Sequence, residues 1–548
     1  MIRGVFSILA ALALLGCAHV EAARAQPVVS APAGALRGEA LDGVDVYRGV
    51  PYAAAPTGWR RWRPPAEAPR WRGTRDATRF GAACHQPVGR NASIYAAAED
   101  PVMSEDCLFL NVWTPQGARN APVFVWIHGG ALTGGASNEA MYDSARLAVS
   151  QGMVVVSINY RLGVLGYMAH PELSAESRQN VSGNYGLLDQ IAALKWVEAN
   201  IAAFGGDPEK VTIAGESAGA LSVMYLMAAP QARGLFDRAI AQSAYMISTS
   251  ELRSSRYGDP PAEGVGYWVQ GVVAAENLAA MRAMDPQALT MAAAQAGFTP
   301  RGTIDGYVLP EELVTIFDRG EQAPVPLLAG FNAGEIRSLR SLAPPAPADA
   351  ATYEREIRAR YGELAEAFLA LYPSSDLPGS VLATPRDGLY GWTAERLARR
   401  QTRIGQDAFL YYFDHGYPAA DEADLHAFHA SELPYVFGTA DRTPPRWPAI
   451  PDTPVERGLS AAMMAYWGSF ARDGAPKAPG QPDWPAYGNT QSYMAFEQGP
   501  VVRERLMPGM YELHEAVVCR RRVAGGVPWT FNFGVVSPPL PPSAPACP

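Results

Sequence analysis

The chain has 548 residues, 48% of them hydrophobic and 18% charged, with a formal net charge of −9. That is enough apolar material for a large buried core, and no internal repeat or long low-complexity block divides it. An acidic chain without clustered Lys and Arg lacks the electrostatic footprint of a nucleic-acid binder, and the Arg-rich stretch from Arg60 to Arg75 is broken by Trp and Pro, as a structural segment is.

The N-terminus reads as an export signal. Arg3 precedes an apolar run from Val5 to Leu15, and Ala23-Arg24-Ala25 before Gln26 fits an A-x-A cleavage site. The run is too short to stay in a bilayer as a spanning helix, and no later stretch is long and apolar enough to do so. Leu14-Leu15-Gly16-Cys17 also resembles a bacterial lipoprotein box, which would leave a lipidated Cys17; the clean A-x-A site favours plain export. The expected organisation is a signal peptide over 1–25, one large domain over 26–523 and a Pro-rich extended tail over 524–548. The expected location is secreted or periplasmic, with a lipid anchor at Cys17 as the alternative.

Export implies an oxidising compartment in which disulfides persist. Beyond Cys17 the cysteines are Cys84, Cys107, Cys519 and Cys547, open on paper to three pairings. Proximity favours Cys84–Cys107, with Cys519–Cys547 tying down the tail. There is no C-x-x-C and no H-E-x-x-H, so zinc and redox motifs are absent.

From about Ala121 to Ser243 the chain alternates buried strands and helices. Val123–Ile127 is a short apolar run that ends in a Gly-rich turn; Val154–Ile158 and Val211–Ala214 are two more. Between the last two, Leu187, Ile191, Leu194, Val197 and Ile201 recur at helical spacing up to Phe204. Ala239–Ala241 follows as a further strand. This order predicts an α/β fold: a large, mostly parallel central sheet covered by helices on both faces. Residues 250–320 read as a helical cap region, Pro324–Phe331 as strand, Ala343–Ala350 as a surface loop, and Tyr353–Tyr361 as helix.

Gly215-Glu216-Ser217-Ala218-Gly219 fits G-x-S-x-G, a weak signal by itself in a chain with 52 glycines. Its setting strengthens it, because it follows the strand Val211–Ala214 and opens an apolar helix from Ala218 to Met227. That strand–turn–helix context is what a nucleophile elbow needs. A serine hydroxyl requires a general base, and in α/β-hydrolases the order is Ser, acid, His. His415, His426, His429 and His514 follow Ser217 and are the candidates. Trp126-Ile127-His128-Gly129-Gly130-Ala131 follows a buried strand and matches an HGGG-type oxyanion segment, with His128 a structural residue beneath it.

These segments, together with Ser104–Trp113, Asn159-Tyr160-Arg161-Leu162-Gly163, Gly183–Asp189 and Phe204-Gly205-Gly206-Asp207-Pro208, resemble the type-B carboxylesterases, the cholinesterase-like α/β-hydrolases. The resemblance runs from about Val28 to Phe496. It implies the α/β-hydrolase fold and a Ser–His–Glu triad. Gly330-Phe331-Asn332-Ala333-Gly334-Glu335 matches the family's acid segment and gives Glu335 that role, although Gly334 stands where the family usually has Asp. His429-Ala430-Ser431-Glu432-Leu433-Pro434-Tyr435-Val436-Phe437 matches the base segment and selects His429 over its neighbour His426. Ser217 is then the nucleophile, and the oxyanion donors are the N–H groups of Gly130, Ala131 and Ala218. Cys84 and Cys107 fall where the family's first disulfide lies. Arg161 and Asp189 match a pair usually salt-bridged, and Glu216 an acid that usually stands beside the nucleophile without taking part in the chemistry directly.

The resemblance therefore implies hydrolysis of small-molecule carboxylic esters through an acyl-enzyme, without metal or cofactor. Cholinesterases carry a cation-binding Trp in their first disulfide loop; residues 85–106 contain Tyr95 and no Trp, which argues against choline esters. Two alternatives stay open: an amidase or peptidase with the same triad, and a non-catalytic cholinesterase-like binding protein, which the complete set Ser217, Glu335 and His429 disfavours.

Overall fold

The computed structural model describes residues 26–89, 93–530 and 532–547. The expected signal peptide and Cys17 lie outside them. Fourteen strands are named in chain order: β1 Val28–Ala31, β2 Gly34–Arg37, β3 Glu39–Leu41, β4 Val44–Pro51, β5 Thr74–Asp76, β6 Phe109–Pro115, β7 Ala121–Ile127, β8 Val154–Ile158, β9 Gly206–Glu216, β10 Arg238–Gln242, β11 Leu327–Asn332, β12 Ala408–Phe413, β13 Ser492–Phe496 and β14 Pro500–Glu504. Eleven of them form one sheet in the order β3-β4-β6-β8-β7-β9-β10-β11-β12-β13-β14. The run from β8 through β13 is parallel, and antiparallel strands close both edges. β1, β2 and β5 make a small separate sheet.

Every residue of β7 and of β8 is buried, the continuous apolar signature of strands covered on both faces. Alternate side chains of β7 enter different cores. Val123, Val125 and Ile127 pack with Leu187, Leu194 and Leu221 of helices Tyr185–Asn200 and Ala218–Ala228. Phe124 and Trp126 face the other way, onto Leu147 of helix Ala145–Gln151 and Leu459, Met463 and Phe470 of helix Pro454–Asp473. The period-2 alternation of the strand thus builds two hydrophobic layers at once. Helix Ala218–Ala228 is buried at every position, as an apolar helix between sheet and outer helices must be.

Several expected elements appear with shifted ends. The helix expected to run up to Phe204 starts at Tyr185, stops at Asn200 and tightens into a 3₁₀ turn, Ile201–Phe204, ended by Gly205 at φ 83°. The cap region consists of helices Ala262–Val272, Leu278–Ala283, Pro286–Gln295 and Leu313–Arg319. β12 and β13 stand out less in the sequence because their short aromatic runs fit a buried helix segment as well as a strand. The tail is extended, yet it is part of the core: Trp529 is fully buried against Trp392. Two disulfides, Cys84–Cys107 and Cys519–Cys547, close their loops. Among the described residues no helix is long and apolar enough to cross a membrane.

Candidate active site

The carboxyl ends of β7, β9, β11 and β12 deliver the site, as open parallel sheets do. At the end of β9 the chain turns sharply. Ser217 has φ 56° and ψ −120°, a backbone conformation that costs a non-glycine residue about 1–3 kcal/mol and persists only when its surroundings hold it. Here the Ser217 N–H donates to the Gln242 carbonyl of β10 at 2.9 Å, and its carbonyl accepts from the Leu221 N–H at 2.9 Å. Gly219 explains why the turn can be this close: a Cβ there would overlap the Ile127 carbonyl oxygen of β7. Ser217 is 9% exposed, the least buried of the three triad candidates.

Ile127 leads into the second turn. Gly130 and Ala131 adopt positive φ (105° and 56°), and the Gly130 carbonyl accepts from the N–H groups of Thr133 and Gly134. No turn or loop backbone hydrogen bond among the described residues uses the N–H of Gly130, Ala131 or Ala218. His128 is buried below, stacked on Tyr160 at 4.6 Å, and burial pushes its pKa down to about 4. Burial thus favours the neutral ring.

β11 ends at Asn332 and Glu335 opens the short helix that follows. One oxygen of the fully buried Glu335 accepts from the Asn332 N–H at 2.8 Å; the other bonds Nδ1 of His429. The departure at Gly334 has a steric reason. Its N–H donates to the Ala427 carbonyl at 2.7 Å, and a Cβ would come within 2.6 Å of the Leu425 carbonyl. The acid turn and the His429 segment touch through backbone here.

His429 is 6% exposed, and its Nε2 lies 3.0 Å from Glu216 Oε1. That oxygen makes no hydrogen bond, so the contact is an off-axis electrostatic one. Burial opposes a charge on the ring, but Glu216 and Glu335 more than offset it and hold the His429 pKa above the usual value. Burial likewise lifts Glu216 above the ordinary carboxylate range. Glu432, fully buried, accepts from Gln242 Nε2 at 2.9 Å and Asn332 Nδ2 at 2.6 Å, which ties β10 and β11 behind the imidazole.

The other histidines are elsewhere. His426 sits between Asp421 and Asp414 at 2.8 and 2.9 Å. His415 bonds Glu456 at 2.9 Å, and His514 bonds Tyr372 at 2.9 Å. Arg161 and Asp189 form a buried bidentate pair, both contacts 2.7 Å.

Sequence reasoning missed the aromatic wall. Tyr390 stands 5.4 Å from the His429 ring and 6.0 Å from Tyr245. It is carried by a π-turn, Asp387–Gly391, and no hydrophobic period announces such a turn. Tyr95, noted only as the absence of Trp, lies edge-on to His429 at 6.5 Å. Among the described residues no group of three His, Cys, Asp or Glu is placed to hold a metal ion.

Comparison with known proteins places this geometry in context. A model described as "Carboxylesterase family" matches residues 25–513. The fumonisin B1 esterase of Sphingopyxis macrogoltabida is 35% identical over 482 residues, 84% of this chain and 85% of that protein. The para-nitrobenzyl esterase of Bacillus subtilis is 35% identical over 473 residues, 84% of this chain and 92% of that one. Among solved structures, a carboxylesterase of Geobacillus stearothermophilus superposes with a TM-score of 0.76 at 33% identity, covering 89% of this chain and 99% of its own.

Proposed function

Because this chain belongs to the carboxylesterase family and has its α/β-hydrolase fold, we propose that it hydrolyses carboxylic esters through an acyl-enzyme on Ser217, with His429 as base and Glu335 as its partner. The observation that carries this reading is the imidazole of His429, bonded at Nδ1 to a buried carboxylate while Nε2 lies beside Glu216, the residue before Ser217. Catalytic hydrogen bonds tighten when substrate binds, so the Ser217 hydroxyl is the proton donor that Nε2 meets in the Michaelis complex.

Ser217 Oγ attacks the ester carbonyl as His429 takes its proton, and Glu335 stabilises the imidazolium. The N–H groups of Gly130, Ala131 and Ala218 receive the oxyanion, each worth about 10²–10³ in rate. His429 then protonates the departing alcohol. Water repeats the sequence on the acyl-enzyme and releases the acid. Relatives are named for fumonisin B1, para-nitrobenzyl esters and cocaine, so the substrate here is a small-molecule ester whose size the tyrosine wall sets. Two disulfides support action in an oxidising compartment after export.

Ser217→Ala is expected to abolish turnover of a short p-nitrophenyl ester and labelling by a fluorophosphonate, with unchanged unfolding. His429→Ala should do the same to turnover, and His426→Ala should not. A fully active Ser217→Ala protein, or the reverse order of the two histidines, overturns the assignment. Matched ester and amide substrates separate an esterase from an amidase.

A further inference from the structure

Two side chains of the Cys84–Cys107 loop reach the two parts of the site that the chemistry must keep in register. Gln86 grips the oxyanion turn: the Gly135 N–H donates to Gln86 Oε1 at 2.9 Å, and Gln86 Nε2 donates to the Gly135 carbonyl at 3.1 Å. Tyr95 reaches the base. Its hydroxyl lies 2.9 Å from the His429 backbone carbonyl and 2.7 Å from Ser338 Oγ, on the helix that Glu335 opens. A carbonyl only accepts, so the phenol proton goes to His429.

The neighbouring carbonyls of Ala427 and Phe428 are held from the acid segment, by the Gly334 N–H and Asn332 Nδ2, but the His429 carbonyl is not. His429 lies in a turn outside any named helix or strand, and no turn or loop backbone N–H among the described residues bonds its carbonyl. The Tyr95 ring packs edge-on against Trp447 at 5.9 Å, a contact phenylalanine would make equally well. What the hydroxyl adds is its bonds to the acid–base segment. Burial keeps this phenol protonated far above neutral pH, so the donor is always present.

We propose that Tyr95 is a positioning residue for His429, and that the Cys84–Cys107 loop braces the oxyanion turn against the base through Gln86 and Tyr95. The inference rests on the reaction assigned above. A proton in flight between Ser217 and His429 is sensitive to sub-ångström placement of the ring, so the brace acts on kcat.

Tyr95→Phe is compared with wild type on a short p-nitrophenyl ester. The expected result is a fall in kcat of about tenfold, equivalent to ~1.4 kcal/mol, with KM within about twofold. A loosened ring gives up part of its contact with Glu335, so the acid limb of the pH–rate profile moves to lower pH. The unfolding midpoint stays near wild type. Cys84→Ser/Cys107→Ser frees the loop and is expected to lower kcat similarly, with little further loss when Tyr95→Phe is added. Should the cysteine variant fail to fold, Tyr95→Phe against wild type decides alone. A wild-type kcat and acid limb in Tyr95→Phe, or an effect confined to KM or to unfolding, overturns the positioning role while leaving the reaction intact. A wild type that neither turns over esters nor labels with a fluorophosphonate overturns both.

Discussion

Replacing Glu216 by Gln tests the electrostatics of the site while keeping its shape, because Glu216 Oε1 makes no hydrogen bond that an amide would break. That oxygen lies 3.0 Å from His429 Nε2. Two full charges at such a separation, in an effective dielectric of about 20, would interact by ~5–6 kcal/mol. Two features reduce the figure. Carboxylate and imidazolium spread their charge, so the charge centres are farther apart than the contact atoms. Burial also lifts the Glu216 carboxyl, so it carries less than a full charge near neutral pH. About a quarter of the upper figure, ~1.4 kcal/mol, corresponds to one pH unit.

The sign follows from the role of the ring. His429 is a base only when neutral, and Glu216 and Glu335 hold its pKa above the usual value. Activity is full above that raised pKa and lost as pH falls through it. Glu216→Gln removes one of the carboxylates, so the acid limb of kcat/KM should move down by ~1 pH unit. The same carboxylate stabilises the imidazolium formed in the transition state, so the plateau should fall by about tenfold. Rates on a short p-nitrophenyl ester across the pH range, together with the Michaelis parameters, give both quantities. An acid limb that stays in place or moves upward refutes the coupling between Glu216 and the ring.

Gly219→Ala should destabilise the fold by at least ~2–3 kcal/mol, since the added methyl meets the Ile127 carbonyl of β7; a wild-type urea midpoint would contradict that packing. Trp529→Ala should cost ~3–5 kcal/mol, because the ring is fully buried against Trp392, and thermal unfolding measures it. A tail that were merely draped over the surface would show no change.

What the sequence made legible was whatever local chemistry enforces. The elbow at Ser217 needs glycines two residues to either side, and the short β-branched run before it fits a buried strand, so motif and fold point to the same place. Glu335 and His429 are 94 positions apart, and only their flanking motifs, not any period, point to them. Where a side chain matters because a distant backbone happens to arrive beside it, one sequence is silent. Tyr95 meets the His429 carbonyl across a separation of 334 residues, and Tyr390 is aimed by a π-turn that has no hydrophobic signature. The packing of the tail was silent for a related reason. Pro and Gly mark it as irregular, which it is, but irregular backbone can still bury a Trp when its N–H groups find partners, as Gly526 does on the Arg256 carbonyl at 3.0 Å.

This division has a consequence for substrate choice. The reacting geometry is set largely by backbone: a strained Ser217, N–H groups in the Gly130–Ala131 turn, and glycines at 219 and 334 that let strands and loops touch. Such a framework tolerates little variation. The aromatic rings around the base come from three separately anchored segments: Tyr95 in the disulfide loop, Tyr390 on the π-turn and, packed against Tyr390, Tyr245 after β10. Tyr95 is tied to the base through the His429 carbonyl, whereas the Tyr245 and Tyr390 hydroxyls make no hydrogen bond to Ser217, His429 or Glu335 among the described residues. On the proposed mechanism, Tyr390 is expected to bear on ester preference more than on the chemical step. Shortening Tyr390 to Phe or Leu should alter the ranking of esters by acyl and alcohol size more than it alters the rate of phosphonylation by a small fluorophosphonate, and equal changes in both would place the ring in the chemical step instead.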